Sequence, residues 1–213
     1  MGLKPFLHKN YLWIISMCST LLLILTMLLQ NSFLALDQSV NTMVMMLWQP
    51  SFIVLFTIIT HLLTLKYFIF LGLTTMAILV VKKRGTSLFF FIIALVGGEG
   101  IHVLLEFIVP KARPVDSLVA VSGNSFPSAH AAVGFIFFAS LIYLFRDDFK
   151  LGIQRNIFIC LCLALIILVA FSRIYLHAHW VSDVLGGLFL GLGWFSFMIF
   201  LEKKITALKK LDF

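Results

Sequence analysis

The feature that most restricts this chain is a series of apolar runs, each about as long as a bilayer is thick, with nearly all of the charge gathered between them. A helix needs roughly 20 apolar residues to cross the hydrocarbon core of a membrane. Runs of that length cannot be spread over a water-soluble domain. Apolar residues make up 62% of the sequence and charged residues 12%, against about 45–50% and about 25% in soluble domains. The charge is therefore about half of what a water-facing surface needs. The expected fold is an all-α integral membrane bundle of six transmembrane helices, forming a single membrane domain over residues 1–213.

The first run, 11–30, follows Lys4, His8 and Lys9. A charged flank before an apolar run also describes a signal peptide, but no small-x-small site follows cleanly, the run exceeds a usual signal core, and more runs come later. An uncleaved first helix is the better reading. Residues 31–50 contain Asp37 and no lysine or arginine, which suits an outside segment able to carry an interfacial helix. The stretch 51–81 is too long for one straight span and holds His61 and Lys66, so it reads as a membrane-embedded or interfacial helix in 51–65 followed by a span over 67–81. Further spans are expected over 88–109, 128–145, 156–172 and 180–201.

Twelve of the 16 lysines and arginines fall in four clusters: Lys4/Lys9, Lys82/Lys83/Arg84, Arg146/Lys150/Arg155 and Lys203/Lys204/Lys209/Lys210. With six spans, all four lie on one face, as the positive-inside rule requires, and both termini are expected to be cytoplasmic. The net charge of +7 thus reports orientation and does not point to a nucleic acid partner. Cys18, Cys160 and Cys162 sit inside apolar runs and read as inert core thiols. Apart from Lys66, the remaining cations, Lys111, Arg113 and Arg173, lie in or beside the loops 110–127 and 173–180, which this topology puts on the outer face.

Those loops carry three short strings: KARP at 111–114, FPSAHAA at 126–132 and SRIYLHAHWVSD at 172–183. Pro127 and Ser128 suit a helix start with Ser128 as its cap, so free N–H groups near Ala129 and His130 would point at an anion. Arg113 and Arg173 offer planar forks that hold two phosphoryl oxygens each. His179 and Asp183, four apart, are expected on one helix face, where the carboxylate orients the imidazole and leaves its other nitrogen as a nucleophile.

Together the strings resemble those of the type 2 phosphatidic acid phosphatase superfamily, KxxxxxxRP, PSGH and SRxxxxxHxxxD. Ser172, Arg173, His179 and Asp183 match the last in full. Pro127, Ser128 and His130 match the second, with Ala129 in place of glycine. Arg113 and Pro114 match the first, whose lysine position is occupied by Glu106, with Lys111 nearby as a substitute phosphate ligand. The resemblance implies a multi-pass bacterial inner membrane enzyme with its site on the periplasmic or extracellular side. It implies no metal and no other cofactor. By the same resemblance, His179 attacks phosphorus and forms a phosphohistidine, Asp183 orients it, and His130 protonates the leaving group. Arg113, Arg173, Ser128 and the Ala129 N–H would cradle the oxygens. Among lipid phosphates the resemblance leans toward undecaprenyl diphosphate, with phosphatidylglycerol phosphate, phosphatidate and lipid A phosphates as companions. A lipid phosphotransferase using the same histidine and a non-catalytic lipid-phosphate binding or transport protein are the alternative readings. Oligomeric state is not readable from the sequence.

Outside the strings, Glu99, His102 and Glu106 recur at spacings of three and four and form one polar stripe on an apolar helix. They read as a hydrogen-bonded triad, or as modulators in which Glu106 pairs with Lys111 or Arg173 or meets a cationic head group. His177 has Val181 rather than an acid four residues on and is not expected to act as the nucleophile. Gly97, Gly98, Gly186, Gly187, Gly191 and Gly193 read as close-packing positions.

Overall fold

Inside a bilayer every backbone N–H and C=O must be satisfied within its own segment, so each apolar run is driven to helix. The computed structural model describes residues 3–209, with side chains from 10 to 207. It contains α1 (Leu3–Leu28), α2 (Gln30–Met45), α3 (Pro50–His61), α4 (Leu65–Val81), α5 (Gly85–Ile108), α6 (Ala129–Phe145), α7 (Gly152–Tyr175) and α8 (Val181–Lys209), with a single 3₁₀ turn at Arg146–Asp148. The side chains of Lys4, His8, Lys9, Lys209 and Lys210, expected to flank the membrane, lie outside the described residues.

Five of these helices, α1, α5, α6, α7 and α8, are long and apolar enough to cross a membrane, and α3 with α4 makes a sixth crossing if the pair is taken as one bent span. The two helices meet at 49°. The break comes where Thr64 adopts an extended conformation and turns its hydroxyl back to the His61 carbonyl, 2.8 Å away, which satisfies one orphan acceptor at the end of α3. The segment 31–50 is mostly helix rather than loop, and α2 turns Asp37, Asn41 and Val44 inward.

α8 runs through the middle of the bundle against α1, α5 and α6, and α6 is enclosed by α5, α7 and α8. The core around α6 is built from Leu79, Phe91, Ile136, Phe137 and Val169, all nearly inaccessible. Large apolar side chains such as Leu28, Val81, Val96 and Phe107 point outward, where lipid tails replace water. At the end of the bundle away from the two motif loops, Asp148 pairs with Arg84 and, at 3.0 Å, with Lys82, while Arg84 also donates to the Leu144 carbonyl at 2.5 Å. This ties the α4–α5 turn to the end of α6.

The glycines of α8 decide how near it comes to α6. A Cβ at Gly187 would stand 2.5 Å from the Ser128 carbonyl and 2.9 Å from the Ala131 Cβ, and one at Gly191 would stand 2.8 Å from the Ala132 carbonyl. A Cβ at Gly186 would overlap the Phe126 ring. Backbone rather than a flexible side chain is what Gly187 and Gly191 approach, so the contact cannot relax cheaply. Gly187→Ala is expected to cost about 1–3 kcal/mol by overpacking, read as a lower unfolding temperature in detergent. Gly100→Ala, with nothing within 4 Å of the new methyl, should leave that temperature within a degree or two.

Candidate functional site

Two loops interlock at one end of the bundle. The Ser125 N–H donates to the Lys111 carbonyl at 2.7 Å and the Leu118 N–H to the Leu176 carbonyl at 2.9 Å, while Trp180 Nε1 reaches the Ala112 carbonyl at 2.8 Å. His177, the decoy histidine, is fully buried with a left-handed backbone (φ 50°), lies under Trp48, and sets its Nδ1 3.0 Å from Asp116. It lies where loop 110–127 meets the turn after α7, and neither of its ring nitrogens makes a hydrogen bond.

The start of α6 carries the anion-shaped part of the site. Ser128 occupies the N-cap position, but its hydroxyl makes no cap bond; it is buried and has no partner. That corrects the expected capping role: the Ser128 N–H goes to the Asp183 carbonyl at 3.0 Å, and the hydroxyl is left for something else. The N–H groups of the first helical turn have no helical acceptor and sit at the positive end of the dipole.

His179 is not on α8, as its spacing suggested, but in the turn before it. The helix begins at Val181, so Trp180 is its N-cap and Asp183 its third residue. The Asp183 carboxylate reaches back to the Trp180 N–H at 2.9 Å, one half of a capping box. That fold-back, not a shared helix face, brings Asp183 Oδ2 to 3.8 Å from His179 Nδ1. The nearer partner of Nδ1 is the Ser125 carbonyl at 2.7 Å. A carbonyl only accepts, so Nδ1 carries the proton and Nε2 keeps its lone pair. Nε2 stands 3.0 Å from Arg113 Nη1. Burial pushes the His179 imidazole down to about 4; Asp183 opposes this, and the charges of Arg173 and Arg113 add to it. The ring is therefore neutral across the physiological range, the state a nucleophile requires.

Arg113 is fixed by the carbonyls of Ala178 (3.0 Å), Gly123 (3.2 Å) and Asn124 (2.8 Å), with Glu106 3.9 Å away. Burial lowers its basicity, and Glu106 and Asp183 counter that. Arg173, 5% exposed, donates from Nη1 to Thr60 Oγ1 at 2.5 Å and has a buried Nε with no partner. Thr60 comes from α3, a segment outside the motif strings. His130 Nε2 is also buried and unpartnered, in the first turn of α6. The site thus gathers His179, Asp183, Arg113, Arg173, Ser128, Ala129 and His130 around unclaimed donors.

Lys111, expected as a phosphate ligand, is turned toward a pair of buried carboxylates. Its ammonium lies 3.0 Å from Asp37 Oδ2, 2.8 Å from Asp183 Oδ1 and 2.6 Å from Ser182 Oγ. Two of its N–H groups donate, to Asp37 and Ser182, while the contact with Asp183 Oδ1 is an ion pair that makes no hydrogen bond. Asp37, 1% exposed, also accepts from the Ser182 N–H (2.9 Å) and hydroxyl (2.6 Å), supplying the cap that Trp180 cannot. Asp37 and Ser125, which also donates from its hydroxyl to Asp183, were not singled out in the sequence. Nothing local distinguishes them; a lone acid without a basic neighbour in 31–50 was the only signal. The polar stripe is close in space but is not the hydrogen-bonded triad expected: His102 lies 3.7 Å from Glu99 and 3.9 Å from Glu106, its buried Nδ1 has no hydrogen-bond partner, and Glu106 meets Arg113 at 3.9 Å rather than Lys111 or Arg173.

Residues 15–206 match the family described as the PAP2 superfamily. Phosphatidylglycerophosphatase B of Bacillus subtilis (strain 168) is 25% identical over 191 residues, 84% of this chain and 90% of that one. The crystal structure of a transmembrane PAP2 type phosphatidylglycerolphosphate phosphatase from Bacillus subtilis superposes with a TM-score of 0.83 at 22% identity, covering 90% of this chain and 97% of that one.

Two outcomes are expected from this geometry. In a ¹⁵N-imidazole titration, His179 keeps its Nδ1-protonated neutral form from pH 8 down to below pH 5 and charges only near 4; because its charged form is the disfavoured one, the protein loses stability as pH falls through the ordinary histidine range. Lys111→Met strands two buried carboxylates and should cost about 3–5 kcal/mol, whereas adding Asp37→Asn to it should restore part of that loss in the same unfolding measurement.

Proposed function

The chain belongs to the PAP2 superfamily, in its membrane lipid phosphatase branch, and from that premise we propose that it hydrolyses a lipid phosphate through a phosphohistidine on His179. The observation that supports this most directly is the commitment of the His179 Nδ1 proton to the Ser125 carbonyl, which leaves Nε2 unprotonated, its lone pair accepting from Arg113 Nη1 at 3.0 Å until substrate takes that donor. Nε2 attacks phosphorus as the bond to the leaving oxygen breaks, and His130 gives that oxygen its proton. Water, deprotonated by the same His130, then cleaves the N–P bond and releases phosphate. Asp183 steadies the imidazolium character that develops on His179. Arg113, Arg173, the Ser128 hydroxyl and the Ala129 N–H take the charge that spreads over the equatorial oxygens. The Arg173 Nε and Ser128 hydroxyl, buried without partners, fit that use.

The distribution of lysine and arginine supports a site on the outer face of the bacterial cell membrane with both termini inside. The lipid setting supports a substrate that stays in the bilayer. Two substrates have separate support: undecaprenyl diphosphate from the motif resemblance, and phosphatidylglycerol phosphate from the name of the curated relative.

The test is phosphate release by detergent-purified protein with excess chelator. Wild type should turn over and His179→Ala should fall by about 10³-fold or more. Arg173→Met should lower kcat about 10²-fold, and brief labelling of wild type should trap an acid-labile phosphoprotein. Label that passes to an added lipid alcohol instead of water would make the protein a transferase; bound lipid with no phosphate release would make it a binding protein.

A further inference from the structure

Glu99 sits well inside α5, a membrane-crossing helix, with 51% of its side chain exposed. Among the described residues its ionic neighbour is His102, whose Nδ1 lies 3.7 Å away; no lysine or arginine comes within 4 Å. A carboxylate exposed at that depth is costly unless it faces a cavity and has something to bind. Glu99 does face one: a cavity of about 240 Å³ walled by Leu63, Leu65, Phe68 and Val133, in which the other ionisable side chain is His130.

The second occupant decides what the cavity is for. On the reading given above, His130 hands its proton to the departing oxygen, so the space beside its ring receives the leaving group. Apart from His130 itself, Glu99 is the polar side chain in walls that are otherwise apolar. A leaving group with O–H or N–H donors next to the scissile oxygen finds an acceptor there, and a charged acceptor makes the stronger bond. A leaving group with a phosphoryl group directly on that oxygen brings negative charge toward a carboxylate at low dielectric. We propose that Glu99 is a specificity-determining residue of the leaving-group pocket. It favours phosphate monoesters whose departing alcohol carries its own hydrogen-bond donors, and it disfavours diphosphates.

This inference rests on the phosphatase reading and ranks the two substrates which that reading leaves side by side. The bond changes are those already given; only the alcohol that leaves is specified.

The experiment compares kcat/KM of wild type and Glu99→Gln on four lipids. Phosphatidylglycerol phosphate has a hydroxyl on the carbon next to the one that bears the leaving oxygen, and sphinganine 1-phosphate has an ammonium and a hydroxyl. Phosphatidate has neither donor, and farnesyl diphosphate has a second phosphoryl group. Wild type should prefer the donor-bearing lipids to farnesyl diphosphate by at least 10-fold. Glu99→Gln should cut that preference 5- to 10-fold, with farnesyl diphosphate rising and phosphatidate changing less than 2-fold. A larger fall for sphinganine 1-phosphate than for phosphatidylglycerol phosphate would assign the site to an ammonium; the reverse would assign it to a hydroxyl. Preferences unmoved by Glu99→Gln, with all substrates still turned over, would overturn the proposal. Should the variant fail to accumulate, the wild-type ranking decides: farnesyl diphosphate or phosphatidate equal to the donor-bearing lipids would overturn it. Failure of wild type on all four would instead remove the phosphatase reading, and this one with it.

Discussion

One lysine holds the site end of this bundle together. Lys111 arrives from the loop after α5 and places its ammonium between Asp37 of α2 and Asp183 of α8, while Ser182 completes the set. Both carboxylates are almost wholly out of water. Neither tolerates burial alone, since desolvating an unpaired carboxylate costs several kcal/mol. With Lys111 shared between them, three distant segments are locked into one register. Asp183 Oδ1 is held by the lysine, and Oδ2 is free to take the Trp180 N–H and the Ser125 hydroxyl. The position of His179 follows, because the turn that carries it is pinned at both ends.

That pinning makes the electrostatics of the site possible. His179 is buried next to two guanidinium groups, so its imidazole stays neutral and its Nε2, which accepts from Arg113, stays unprotonated. Arg113 spends most of its donors on backbone carbonyls and turns Nη1 toward His179, whereas Arg173 keeps a buried donor unclaimed. One arginine is thus held in place by the loops and the other keeps a buried donor to spare. Unclaimed buried donors are costly in a resting protein, and on the proposed reading a bound phosphoryl group recovers that cost.

The motif residues were legible from the sequence because each string is short and local: Arg113, Ser128, His130, Arg173, His179 and Asp183 lie in three stretches, and the structure brings all three to one end of the bundle. A break within 51–81 was legible too, since a single straight span cannot take up that length; two helices were expected there, and they meet at 62–64. Other relationships were not. Spacing of four suggested that His179 and Asp183 share a helix face, and a helix that starts two residues later removed that geometry while a capping fold-back restored the proximity. Lys111 read as a phosphate ligand because a cation beside a phosphate motif has no visible competitor until Asp37 arrives from 74 residues away. Ser125 and Asp37 act through contacts of long sequence separation, for which a periodic or spaced signal does not exist.

What the sequence by itself determined is the class of the protein: apolar runs of bilayer length with too little charge for water force an all-α membrane bundle, and the polar strings between them name a phosphate chemistry. What only the tertiary structure decided is which charge faces which. Backbone satisfaction in a membrane is a local demand, met within each helix, and so it is written in consecutive residues. Neutralising a buried carboxylate is a demand met by whichever cation packs against it, and packing is settled only when α8, with Gly187 and Gly191 pressed on α6, draws the loops at its end into contact.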